Sequence, residues 1–167
     1  MKIQALGCGF LVLAVLPVLA AGQESDCPSG RPFQLTRAVA PVIGQSPLWV
    51  TTGREPIAWE SPTKGVTVLF VRDRSVPGIA TMSGRNRTTG AKARFTKSGL
   101  DVGFANDTLR LDEEGAKLKT ASADDQARYS FHYIAVWFPD TGCYEIAGRV
   151  GRQRPTIYLK VEKRTGK

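Results

Sequence analysis

The chain has 167 residues, 42% hydrophobic and 8% aromatic, with 23 Lys and Arg against 15 Asp and Glu and a formal net charge of +8. That is one domain's worth of chain with enough apolar residues for a genuine core. Its single histidine excludes the multi-histidine cages of typical zinc or copper catalysts. The basic balance favours anionic partners such as lipid headgroups, acidic polysaccharide or nucleic acid, with solubility as the plainer reading.

Met1-Lys2 precedes an almost unbroken apolar run from Ala5 to Ala21. The run ends in Ala20-Ala21-Gly22, the small-x-small pattern a signal peptidase cuts after, so residues 1–22 are expected to be a cleaved signal peptide. Seventeen residues is short for a membrane span, which takes about 20. No lipidation box closes the run, because Cys8 lies at its start and Cys27 follows Glu24-Ser25-Asp26. Cleavage removes Cys8 and leaves Cys27 and Cys143, which in an exported chain most simply form one disulfide. It also removes Lys2, so 22 Lys and Arg stand against 15 Asp and Glu, a net charge of +7.

Pro28 and Pro32 exclude a helix interior, and residues 23–46 read as an N-terminal arm, with a loose strand or packed segment over Phe33 to Ile43. Pro47 to Thr51 is a short strand, and Gly53 to Gly65 a loop with Ile57-Ala58-Trp59 tucked inward. Val66-Thr67-Val68-Leu69-Phe70-Val71-Arg72 is the clearest buried strand, β-branched and bounded by Gly65 and Asp73. Gly78 to Ser83 and Ala91 to Phe95 flank a polar loop from Gly84 to Gly90. Leu109 to Leu111 and Lys117 to Lys119 alternate around Asp112 to Gly115 as an exposed hairpin, and Ala121 to Gln126 is a polar linker. Only Ala116 to Tyr129 has room for a helix. Phe131 to Phe138 is an apolar strand ended by Pro139, and Cys143 to Val150 and Thr156 to Glu162 form the last pair. Short strands at this pitch predict an all-β sandwich or barrel.

In the last pair, alternation places Tyr144, Ile146, Gly148 and Val150 on one face and Cys143, Glu145, Ala147 and Arg149 on the other. Ile157, Leu159 and Val161 are expected to face inward on the final strand. Cys143 then points away from the core, and its bond to Cys27 brings the arm across the outside of the sheet.

The segment Asp140-Thr141-Gly142-Cys143-Tyr144-Glu145-Ile146 resembles the Asp-x-Gly-x-Tyr signature that opens the penultimate strand of immunoglobulin-like sandwiches. The resemblance makes Tyr144 the corner tyrosine whose hydroxyl bonds back to backbone, Gly142 the tight entry and Asp140 the turn residue. The family's cysteine two residues past the tyrosine is replaced by Ile146, so the antibody-type bridge between sheets is not expected. With Pro47-Leu48-Trp49-Val50, the strand near Phe70 and Trp137-Phe138-Pro139, the pattern is similar to small, largely uncharacterised exported bacterial proteins with Ig-like folds. That resemblance implies an Ig-like antiparallel β-sandwich over residues 47–167 and carries no catalytic residues.

Chemistry-bearing motifs are few. His132 reads as a structural or surface histidine, and no Gly-x-Ser-x-Gly elbow is present. Ser61-Pro62-Thr63-Lys64 spells Ser-x-x-Lys, but Pro62 and Gly65 make it a turn rather than the helix start that acyl-transfer enzymes need. Asp112-Glu113-Glu114 and Asp124-Asp125 lack the alternating ligand spacing of a calcium loop. Two basic clusters remain as candidate binding surfaces. One is the C-terminal edge with Arg149, Arg152, Arg154, Lys160, Lys163, Arg164 and Lys167, which equally suits edge protection. The other is Arg85-Asn86-Arg87-Thr88-Thr89-Gly90 with Lys92 and Arg94. Its Asn-x-Thr-Thr-Gly spelling resembles a loop of chagasin-type cysteine protease inhibitors, although the flanking proline, aromatic and companion loops are missing. The sequence thus predicts an exported, periplasmic or extracellular, non-enzymatic binding or structural module without cofactor, whose partner is an anionic surface or another envelope protein. The alternatives are an electrostatic adhesin for anionic glycan, lipid or nucleic acid, and a secreted enzyme or enzyme inhibitor.

Overall fold

The computed structural model describes residues 27, 28, 30–51, 56–97 and 102–164. The expected signal peptide, the start of the expected Gly53 to Gly65 loop and Lys167 lie outside the described residues. The fold is all-β with one short helix: β1 Ile43–Gln45, β2 Leu48–Thr51, β3 Ile57–Trp59, β4 Val66–Asp73, β5 Ala80–Asn86, β6 Lys92–Thr96, β7 Thr108–Leu111, α1 Ala123–Arg128, β8 Tyr129–Trp137, β9 Gly142–Arg149 and β10 Thr156–Lys163. The strands form one curled sheet in the order β1-β2-β4-β8-β6-β5-β9-β10-β3, with β7 added to β5.

The curl turns on β6. Lys92 and Ala93 pair with β5, whereas Arg94, Phe95 and Thr96 pair with β8. Gly84 permits this bend: a Cβ there would stand 2.7 Å from Ile146 and 2.8 Å from Ala93. The two arms of the sheet then face each other across a common core. Leu48, Val50, Val68, Phe70, Ile134 and Val136 supply one side, and Met82, Tyr144, Ile146, Ile157, Leu159 and Val161 the other.

Strands β4 and β8 read as continuous apolar runs because they are covered on both faces. Their inward residues join the common core, and Leu69, Val71, Tyr129 and Phe131 pack outward against Val39, Val42, Leu118 and Ala121. The N-terminal arm therefore supplies a second cluster, and β1 hydrogen-bonds β2. Strands β5, β7, β9 and β10 instead largely alternate buried and exposed positions, because among the described residues their outer face has no such cover apart from Cys27 at the buried Cys143. Tyr144, Ile146, Gly148, Val150, Ile157, Leu159 and Val161 are all buried, as alternation predicts. Cys143 lies on the opposite face from Tyr144 and is bonded to Cys27, 116 residues away.

Four expectations are corrected. Ile57–Trp59 is a strand, parallel to β10 and fastened by Trp59 Nε1 donating to Phe138 O at 2.8 Å. Sequence alone gives no cue for a three-residue strand amid prolines. Leu109–Leu111 pairs with β5 rather than with Lys117–Lys119, because Leu109 and Leu111 fill the common core while Leu118 belongs to the outer cluster. The polar loop begins later than Gly84, since β5 runs through Asn86. The Ala121–Gln126 linker contains the start of α1, whose N-cap Ser122 accepts from Asp125 N–H at 3.0 Å.

Candidate functional site

The uncovered face of β7, β5, β9 and β10 is where the sequence-predicted cations meet. Cross-strand register sets Arg110, Thr81 and Arg149 side by side on three adjacent strands. Four residues further along β5, Lys92, Arg85, Glu145 and Tyr158 form a second row across four strands. Between them lies a floor of Thr108, Ser83, Ala147 and Thr156. Strand geometry puts the Cα atoms of Arg110 and Arg149 about 10 Å apart and the two rows about 13 Å apart. Arg85, Arg110, Arg149, Lys92 and Ser83 are exposed, and Glu145 and Tyr158 half-buried. A shallow depression of ≈ 630 Å³ opens over Ser83, Arg85, Arg87, Glu145 and Ala147.

The β5–β6 turn, which carries Arg87, forms one rim of this depression and is tied down from below. Asn86, 1% exposed, donates through Nδ2 to Asp140 Oδ1 at 2.8 Å and to Thr141 O at 2.9 Å. Its Oδ1 accepts from the N–H groups of Thr88 and Thr89. Thr89 Oγ1 donates to Asp140 Oδ2 at 2.7 Å. The Tyr144 hydroxyl sits against the same carboxylate, 3.3 Å from Asp140 O, and accepts from Asp140 N–H at 3.4 Å. Burial raises the Asp140 carboxyl, but the hydrogen bonds from Tyr144, Thr89 and Asn86 outweigh it and hold the group below the usual carboxylate range. Burial, then the neighbouring carboxylate, pushes the Tyr144 phenol well up. Gly142, at φ +134°, brings its backbone against the Asn86 amide; a Cβ there would lie 2.8 Å from Asn86 Nδ2. Arg87 donates its N–H to Cys143 O at 2.8 Å and sets its guanidinium 5.6 Å from the Tyr158 ring centroid.

Comparison with protein-family models, curated proteins and solved structures returns no match for this chain.

Of the predicted binding residues, Arg85, Arg87 and Arg149 share this face. Arg152 and Arg154 stand on the β9–β10 turn beyond it, where Arg154 Nη1 donates to Gln153 O at 3.1 Å. The C-terminal edge is divided, for Arg164 reaches Glu60 at 2.6 Å beside β3 and Lys160 pairs with Glu162 at 2.6 Å. Arg110 and the Asn86–Asp140–Thr89 network went unread in the sequence. An Arg between two leucines was the available signal for Arg110, since it marks an outward position on an alternating strand.

The chemical motifs are placed elsewhere. His132 is 6% exposed, with Nε2 3.1 Å from Ser130 Oγ, and Ser130 is fully buried. Burial pushes His132 down to about 4, only partly opposed by Asp112. In the adjoining ≈ 390 Å³ depression, Lys97 and Asp112 are joined at 3.1 Å. Ser61 and Lys64 flank a turn, with Lys64 engaged by Glu60. Among the described residues no group of three or more His, Cys, Asp or Glu is placed to hold a metal ion.

Proposed function

We propose that this chain is an exported, non-catalytic binding module of immunoglobulin-like type that contacts its partner through the outer face of β5, β7, β9 and β10. The observation that carries the reading is the pair of Arg-containing rows on a sheet face that the described residues leave largely open. Arginine forks hold carboxylate, sulfate or phosphate through two parallel hydrogen bonds, so their exposure on a rigid sheet suits recognition of anions. The corner formed by Tyr144 and Asp140 and the facing sheet arms support the immunoglobulin-like type. The Cys27–Cys143 bond and the apolar start of the chain support an oxidising destination. The burial of His132 against Ser130 favours binding over catalysis, since Ser130 is fully buried and His132 only 6% exposed.

A photo-crosslinking side chain at Ser83, the exposed middle of the floor, tests this in the exporting cell. An adduct is expected at Ser83 and none at Lys119, which is also exposed but lies in the turn before α1, next to Leu118 of the outer cluster. No adduct at Ser83, or equal adducts at both, would overturn the proposal.

A further inference from the structure

Resting on that reading, we infer that the partner is an acidic polysaccharide bearing carboxylate or sulfate groups on successive sugars, laid along the strand direction across both cationic rows. The spacing favours more than one charge. With side chains standing roughly perpendicular to the sheet, rows about 13 Å apart seat separate anions, so a ligand that engages both carries at least two anionic groups on one chain. The first row, Arg110 with Arg149, has no carboxylate in register, whereas the second contains Glu145 opposite Arg85 and its Lys92 pairs with Asp107 at 3.0 Å. The first is therefore the stronger anion seat.

The floor decides the ligand class. Thr108, Ser83 and Thr156 offer three hydroxyls on a flat surface between the rows, each able to donate and accept, which matches sugar hydroxyls. A single nucleic-acid strand gains much of its affinity from bases stacking on open rings. Here the one ring in either row, Tyr158, is half-buried and carries Arg87 over its face. A bilayer would reward an apolar cluster entering the headgroup boundary. Among the described residues, the exposed large apolar ones are Phe33, Ile79, Phe104 and Tyr133, and none belongs to the rows or the floor.

The test uses the full oxidised chain with heparin oligosaccharides and polygalacturonate as probes, against dextran, phosphatidylglycerol vesicles and an oligothymidylate strand. Binding to one or both acidic polysaccharides is expected, weakening with salt, with dextran, the vesicles and the strand all weaker. Arg85→Glu with Arg149→Glu should weaken it by about tenfold or more. Lys117→Glu with Lys119→Glu changes the net charge equally and should cost less than about threefold. The pair Arg85→Lys with Arg149→Lys keeps the charge and loses the forks, and should fall between. Equal losses in the two Glu pairs, equal affinity for free galacturonate, or tighter binding to vesicles or the strand would overturn the inference. A chain that ignores both polysaccharides while Ser83 still crosslinks in the cell overturns the polysaccharide and leaves the binding face standing. A silent Ser83 removes both.

Discussion

His132 shows what one buried titratable group does to its surroundings. Its ring lies beside Phe70 in the cross-strand register and against Ser130, with Arg72 diagonal to it on the same face of β4. Burial lowers its folded value to about 4, below the unfolded 6.5, so the unfolded chain takes up this proton first as the pH drops. The stability it conditions is full above about pH 6.5 and is lost as the pH falls through about 4, at most about 3 kcal/mol. His132→Leu should flatten that acid limb in urea titrations run between pH 7 and pH 4; an unchanged slope would contradict the assignment. Legibility at this scale follows sequence distance. Tyr144 and Asp140 are four residues apart, so their corner was readable as a motif. Asn86 meets the same carboxylate from 54 residues away, and nothing in its neighbours announces that.

Among the elements, β4 and β8 were the most legible because burial on both faces leaves a continuous apolar run. The expected Val66 to Arg72 nearly coincides with β4, but the part Arg72 plays was not legible: fully buried, it extends the inward row of Val68 and Phe70. Its Nη2 donates to Val76 O at 2.8 Å and to Gly78 O, and Glu113 stands 3.6 Å away while accepting Gly78 N–H. The guanidinium thus ties the β4–β5 connection to the segment after β7. Arg72→Ala leaves two carbonyls without a donor and a cavity in the core, costing on the order of 3 kcal/mol. Glu113→Gln, at a half-exposed partner, should cost less than about 1 kcal/mol. Similar losses for the two in denaturant titrations would show that the ion pair, rather than the carbonyl contacts, does the fastening. The missed strand β3 and the misassigned hairpin share one cause. Three- or four-residue strands take their identity from the neighbour they join, and that neighbour is remote in sequence.

For the molecule as a whole, the alternation rule placed the last two strands correctly because one of their faces is open, and it set the Cys143 sulfur on the outer side. The Cys27–Cys143 bond closes a loop over a sequence separation of 116 residues, and removing such a closure costs about 4 to 5 kcal/mol in the chain-entropy model. Cys27→Ser with Cys143→Ser should lower stability by that order in urea titrations. A loss below about 1 kcal/mol would mean the unfolded chain is already compact. What the sequence could not convey is the path of β6, because a five-residue strand shared between both arms leaves no compositional mark. That shared strand has a mechanical consequence. Two of its residues hold one half of the sheet and the next three hold the other, so the ladder that joins the halves is only one short strand wide. Loss of those few pairings would part the strand that carries the hydroxyl floor from the arm that faces it.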